Sequence, residues 1–527
     1  MSRQIQIRAN STLYDALQQV IEQCPEDEAL VLEGTRKTYA QLGRLVDALA
    51  SGLSRLGISH GDNVALILPV CLENIYAFFA LARLGAPFVP ISPQLRAFEL
   101  RHILDDSEAA AVITIGNMMG HDYVDMIQAL RPGLPNLKHV IVHGEGATGD
   151  AVPLEELLGA EHHPPPESLA GPADLVGLMY TSGTTGLPKG AMHTHRSMLT
   201  QVAVVLELFG PDDLAAMLNH FPMFHLSGIA APMIFLLSGG KLVLAERFHP
   251  IEALNLIGAE RISFTVGAPA TAQLMLKMAQ PLQHDLSSLR VFGMGGSLCP
   301  PELIRALKER WDCAVFNGLG ISEAGFVSTT RPDDPERVQA NTVGRPAKGV
   351  DLRIVNDEHR DLPVGEEGEI VCRSPMVMEG YYKRPDETAE VLDADGWYHT
   401  GDIGSLDEEG YLSIFDRKKD VIHRGGESLY PAEIERYLVT HPQIKMAAVI
   451  GVPSPVGGER VRAYILPLEG AELTEIDVVN YCRGRIATYK IPAEVRIVES
   501  FPLSALWKVQ KFQLREEALQ EMREAGP

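Results

Sequence analysis

The strongest constraint on how this chain can fold is a recurrent alternation of strand-like and helix-like segments in its first half. "DNVALIL" is rich in β-formers, "NIYAFFALARLGA" has apolar residues at helical spacing, and "PFVPIS" returns to strand. "FELRHILDD" then reads as helix and "AAVITI" as strand. Successive β-then-α units predict parallel sheets covered by helices. The pattern resumes with "RISFTV", "LRVFGMGG" and the helix "PPELIRALKERW". That helix opens on proline, where a first-turn residue needs no N–H. No internal repeat is present, and "HHPPPESLAGP" reads as a connector.

A change of pattern marks the boundary near "FDRKKDVIHRGGE". Before it lie turn-rich, antiparallel-looking segments such as "GYLSIFD". After it comes a shorter α+β series: "MAAVIGV", "RAYILPL", helix "TEIDVVNYC" and strand "AEVRIVE". At 527 residues the chain exceeds one ordinary core. The expected fold class is therefore α/β. A large multi-subdomain N-terminal domain (1–416), with helix-covered, mostly parallel sheets, precedes a small α+β C-terminal domain (417–527).

Composition narrows the function. The formal net charge of −23 argues against a nucleic-acid binder, whose footprint is basic. Six cysteines without a CxxC pair or zinc spacing predict reduced thiols in a cytoplasmic protein rather than a disulfide framework. The N-terminus "MSRQIQIRANSTLYDALQQ" has no apolar signal core, and the run "GIAAPMIFLLSGG" falls short of the roughly 20 residues of a spanning helix. Neither secretion nor a membrane span is expected.

The segment "YTSGTTGLPKGAMHTH" carries the chemistry. Glycines let backbone amides converge on an anion, Ser and Thr add hydroxyl donors, and Lys189 adds positive charge. This is phosphate-cradle chemistry without Walker A spacing. Its order, Thr181-Ser182-Gly183-Thr184-Thr185-Gly186 and then Pro188-Lys189-Gly190, resembles the phosphate-loop signature of the adenylate-forming superfamily. That superfamily comprises acyl-CoA synthetases, peptide-synthetase adenylation domains and firefly-type luciferases.

Four further segments follow in the family's order. "NGLGISEAG" resembles its aromatic-Gly-x-Thr-Glu motif, which implies that Asn317, Gly318, Leu319, Gly320 and Ser322 face the nucleotide and that Glu323, with Thr184, binds Mg²⁺. "GWYHTGD" implies Asp402 on the ribose hydroxyls. "DRKKDVIHRGGESLYPAEIE" implies Arg417 on the ribose, Lys419 as hinge, and Gly425 and Gly426 beside the pantetheine arm. "PLSALWKVQK" points to Lys508 as the catalytic lysine bridging the acid and the α-phosphate.

His225, in "PMFHLSG", matches the family's aromatic-His position, lining the acyl pocket and gating the carboxylate. Phe224, Gly267, Gly293, Gly295 and Leu319 complete that pocket, and Gly296 joins the nucleotide site. In the family the C-terminal domain is mobile, swinging between an adenylating pose and a thioester-forming pose.

The resemblance implies an ATP-, Mg²⁺- and coenzyme A-dependent ligase: acid and ATP give acyl-AMP and pyrophosphate, and the CoA thiol then gives acyl-CoA and AMP. The pocket segments are apolar with no evident cation, which suits a medium-chain, branched or aromatic carboxylic acid. Two alternatives stay open: loading of a carrier-protein pantetheine, and a non-catalytic nucleotide-binding homologue. A homodimer also stays open.

Two departures stand out. Leu319 replaces the aromatic residue that stacks on adenine, costing about 1 kcal/mol. Trp507 replaces the glycine before Lys508, with Leu506 where threonine is common. Ser322 for threonine keeps the hydroxyl. His193 and His195, two apart, would share a strand face but lack a third metal ligand in the sequence; His162 and His163, beside prolines, read as solvated.

Overall fold

The computed structural model describes residues 10–118, 120–159, 167–168, 170–181, 187–279, 284–295, 300–424, 427–454, 458–503 and 509–524. The chain divides into two compact units. The first is 1–352 with 372–398 and 410–412, and the second is 353–371, 399–409 and 413–527.

Among the described residues, the first unit is built on two large sheets. One orders its strands Lys189–Thr194, Leu175–Thr181, Phe88–Pro90, Val64–Ile67, Ala111–Ile115, His139–His143 and Val152–Pro153. All its neighbours are parallel except the first pair. The other runs Arg345–Pro346, Gly325–Thr329, Ala314–Ile321, Val291–Met294, Phe264–Gly267, Ala216–Asn219, Lys241–Leu244, Glu28–Leu32 and Thr35–Thr38.

The predicted alternation is realised segment by segment. Val64–Ile67 is buried throughout, as a strand covered on both faces requires. Helix Leu72–Leu84 follows and ends at Gly85, whose φ of 68° is the left-handed cap that glycine adopts without penalty. Pro301 begins helix Pro301–Trp311 in its first turn. No helix among the described residues is long and apolar enough to cross a membrane.

The second unit holds most of a four-stranded sheet, Asp351–Val355, Gly368–Arg373, Tyr398–Leu406 and Leu412–Arg417. Beyond it lies a three-stranded sheet in which Ile444–Pro453 pairs antiparallel with Glu459–Pro467, itself parallel to Glu494–Ile497. Strand alternation divides the core there. Val449, Val461, Ala463 and Ile465 pack with helix residues Ile434, Leu438 and Val478. Ala448, Ile450 and Tyr464 pack on the other face with Leu514 and Ala518 of helix Lys511–Glu524.

Candidate active site

The polar loop closes a hairpin. Strands Leu175–Thr181 and Lys189–Thr194 pair antiparallel with Thr181 opposite Lys189, so both ends of the loop are fixed at one place. Tyr180 braces this base: its hydroxyl donates to Asp106 at 2.8 Å, and Arg384 donates to the same carboxylate at 2.5 Å. Ser182, Gly183, Thr184, Thr185 and Gly186 lie outside the described residues, as do Gly296, Gly425, Gly426, Leu506, Trp507 and Lys508.

Glu323 sits half-buried in the turn between Ala314–Ile321 and Gly325–Thr329. Two hydroxyls converge on its Oε1: Thr181 donates at 2.9 Å and Tyr381 at 3.1 Å. The Tyr381 ring also lies 5.3 Å from the Lys189 ammonium, within cation–π range. Tyr381 was not singled out in the sequence, because nothing local in "GYYKRP" betrays it. Backbone bonds deliver it: Met192 N–H to the Gly380 carbonyl, Glu379 N–H to Met192, and Tyr382 N–H to Gly190. These make 379–382 an added edge beside the hairpin.

A second support lies behind. His193 Nε2–H donates to the Ser322 carbonyl at 2.7 Å, holding the residue before Glu323. His195 Nδ1 accepts the Leu13 N–H at 3.2 Å. Both rings are fully buried and occupied with backbone, and no third metal ligand joins them among the described residues. Burial lowers the pKa of each to about 4, and does the same for His220, which stacks on Phe221, lies tilted against Phe248 and has no hydrogen-bond partner among the described residues.

This has a measurable consequence. In the folded protein the three rings stay neutral down to about pH 4, whereas unfolded histidine protonates near 6.5. The unfolded state therefore binds more protons as pH falls from about 6.5 to 4, and stability drops through that window by up to about 1.4 kcal/mol per unit per ring. Melting temperature should fall steeply between pH 6.5 and 4.5, and His220→Phe should make the fall shallower. A flat profile over that range contradicts the assignment.

The second unit assembles the pair expected on ribose. Asp402, only 7% exposed, lies on the buried face of strand Tyr398–Leu406, and the Arg417 guanidinium pairs with it at 2.8 Å. The Asp402 N–H donates to Thr400 Oγ1, and the Thr400 hydroxyl donates to the Ile370 carbonyl, which fixes the strand. Lys419 is exposed in the short turn Lys418–Asp420. Its neighbour Lys418 pairs with Glu369 at 3.0 Å and Asp357 at 2.9 Å.

The remaining expected residues divide. Asn317 is buried; its backbone N–H donates to Thr330 Oγ1, and its side-chain amide faces the Thr342 carbonyl. Gly318 abuts the Ser328 carbonyl, 2.8 Å from where a Cβ would stand, whereas Gly320 has no close neighbour there. Leu319 is half-buried opposite Ser328. Gly293 is packed against Phe316 and Val266, and Gly267 against Thr271, while Gly295 opens on free space. Phe224 and His225 lie ring against ring at 4.5 Å, immediately before helix Leu226–Leu237. Gly228 lets the first turn of that helix lie against the Pro222 carbonyl, since a Cβ there would fall 1.9 Å from it.

Parallel sheets with a hairpin base that sets Lys189 near a hydroxyl-braced carboxylate suit a nucleotide-handling enzyme. The chain belongs to the AMP-binding enzyme family of the adenylate-forming superfamily: that family matches residues 17–382, and the AMP-binding enzyme C-terminal domain matches 433–508. It is 35% identical to 2,3-dihydroxybenzoate-AMP ligase of Bacillus subtilis (strain 168), over 98% of this chain and 95% of that one. Among solved structures it is similar to the anthranilate CoA ligase AuaEII in complex with anthranoyl-AMP (TM-score 0.87, 26% identity, 98% of each chain). It is likewise similar to O-succinylbenzoate coenzyme A synthetase of Bacillus subtilis in complex with ATP and magnesium ion (TM-score 0.84, 26% identity, 96% of this chain and 99% of that one). Adenylate-forming acid ligase activity follows from that membership.

Proposed function

We propose that the protein is an AMP-forming acid–thiol ligase that adenylates an apolar, and foremost an aromatic, carboxylic acid and passes the acyl group to coenzyme A. The observation that carries this is the convergence of Thr181 and Tyr381 on Glu323 beside Lys189.

Attack of a carboxylate on the α-phosphate of ATP brings two anions together, so the site must supply fixed donors and positive charge. Lys189, at the base of the hairpin, faces the phosphates. The two hydroxyls hold one oxygen of Glu323, and its carboxylate suits Mg²⁺, a hard ion that takes oxygen ligands. Glu323 and the Thr184 hydroxyl would hold it, and it would neutralise phosphate charge. Asp402 accepts the ribose hydroxyls while Arg417, paired with it at 2.8 Å, orients it. Lys508 neutralises the reacting carboxylate and α-phosphate together, and Lys419 is the hinge about which residues 417–527 exchange poses.

Phe224 and His225 border the acyl group. The aromatic acids in the names of the relatives make benzoate-type acids the first panel. A second acceptor, a carrier-protein pantetheine, is kept because the Bacillus relative is named as an AMP ligase. Incubation with ATP, Mg²⁺ and each acid should consume free CoA thiol with matching thioester formation. Acyl-AMP accumulation with CoA untouched would favour the carrier.

Tyr381→Phe keeps the ring over Lys189 and removes only the hydroxyl on Glu323. A hydrogen bond to a charged group is worth roughly 1.5–3 kcal/mol, so kcat/KM for ATP should fall by about 10-fold or more, with a rise in the Mg²⁺ needed for half-maximal rate. An unchanged Mg²⁺ dependence would show that Tyr381 does not orient Glu323.

A further inference from the structure

Cys71, Glu73 and His143 place a thiol, a carboxylate and an imidazole within 4.8 Å of one another, away from the loop and from Glu323 in sequence. They are brought together by the parallel sheet. Cys71 follows strand Val64–Ile67 and precedes helix Leu72–Leu84, Glu73 lies in that helix's first turn, and His143 ends strand His139–His143. Strand Ala111–Ile115 lies between, and all three strands are parallel. The chain steps from Val64–Ile67 to Phe88–Pro90 on one side and then to Ala111–Ile115 on the other, so the trio stands outside carboxyl ends at a topological switch point, where α/β sheets form ligand sites.

We propose that Cys71 Sγ, Glu73 Oε2 and His143 Nε2 form a zinc site, with water as fourth ligand. His143 Nε2 lies 3.4 Å from Glu73 Oε2, close to the about 3.3 Å between an N and an O ligand of tetrahedral zinc. The opposite ring nitrogen, Nδ1, lies 3.1 Å from Glu155 Oε1, and the Gly144 N–H donates to that same oxygen at 3.0 Å. This carboxylate behind the imidazole fixes the tautomer with Nε2 turned toward the trio, the usual support of a zinc-bound histidine.

Side-chain exposures of 21% for Glu73 and 27% for His143 leave a way in for ion and water. Binding releases the Cys71 thiol proton to solvent; thiolate and carboxylate then neutralise the dication, so no net positive charge is added at the start of helix Leu72–Leu84. Without the ion the Cys71 thiol hydrogen-bonds to Glu73 and the His143 imidazole faces Glu73 and Glu155; metal binding would replace those contacts.

The test uses the full chain, stripped with a chelator and titrated with Co²⁺ alone and then with Zn²⁺ in competition. The site predicts one equivalent of bound Co²⁺, a thiolate-to-cobalt charge-transfer band and its displacement by Zn²⁺. The band should vanish in Cys71→Ser and in His143→Gln, and Glu155→Gln should weaken binding by about 10–100-fold. Absence of the band in the parent protein, or its survival in both Cys71→Ser and His143→Gln, would overturn the proposal. Melting curves of the metal-free variants separate loss of ligand from loss of fold.

Discussion

Glu323→Gln is expected to lower acid-dependent pyrophosphate release by at least about 100-fold, since losing even a support of a metal ligand costs 10–100-fold. The substitution is nearly isosteric, and the retained carbonyl oxygen still accepts the Thr181 and Tyr381 hydroxyls that meet at Oε1. Folding is therefore preserved, and the melting temperature should stay near that of the parent. What is lost is the negative charge that would hold Mg²⁺. Raising the Mg²⁺ concentration should restore part of the rate, because a neutral amide still offers one oxygen. Full activity at ordinary Mg²⁺ would show that the carboxylate serves only to tie the 321–325 turn to Thr181 and Tyr381.

Lys508→Ala should divide the two half-reactions. Losing one preorganised donor to developing charge costs about 10²–10³ in rate, and that loss should fall on adenylation alone. Transfer from a supplied acyl-adenylate to CoA breaks the carbonyl C–O bond and releases AMP with one more negative charge on its phosphate, but it belongs to the thioester-forming pose, in which Lys508 would have left the α-phosphate, so it should continue at close to the parent rate. Equal damage to both half-reactions would mean that Lys508 serves something common to them, such as the pose of residues 417–527, rather than the phosphoryl step. Trp507 makes the comparison sharper: if its ring crowds the lysine, Trp507→Gly should raise adenylation and leave transfer unchanged.

Local pattern was enough for most of the fold. "AAVITI" became Ala111–Ile115 and "TEIDVVNYC" became Glu475–Cys482, because periodicity within each segment already states which faces are buried. Strand Glu28–Leu32 has one local neighbour, the hairpin partner Thr35–Thr38, but its other neighbour, Lys241–Leu244, lies far along the chain, and no local signal records that parallel pairing.

The site divides on the same principle. Thr181, Lys189, Glu323, Asp402 and Arg417 stand in ordered motifs and could be named from the sequence. Tyr381 acquires its place through backbone bonds to residues 190–192, and His193 through the Ser322 carbonyl, so neither role exists until the chain has folded. The Asn317 amide also reaches the Thr342 carbonyl, a contact set by tertiary packing. The cysteines likewise showed no zinc spacing, because the partners of Cys71 come from a strand end and a helix start, not from a second nearby cysteine.

The most direct test of the central claim is pyrophosphate release by the parent protein with ATP, Mg²⁺ and a panel of aromatic and medium-chain acids, without CoA and with the products resolved. The predicted result is release that depends on one class of acid, matched by the corresponding acyl-AMP, and accelerated when CoA is added. Release independent of any acid, or none from the parent under conditions where the protein binds ATP, would contradict an acid-adenylating function.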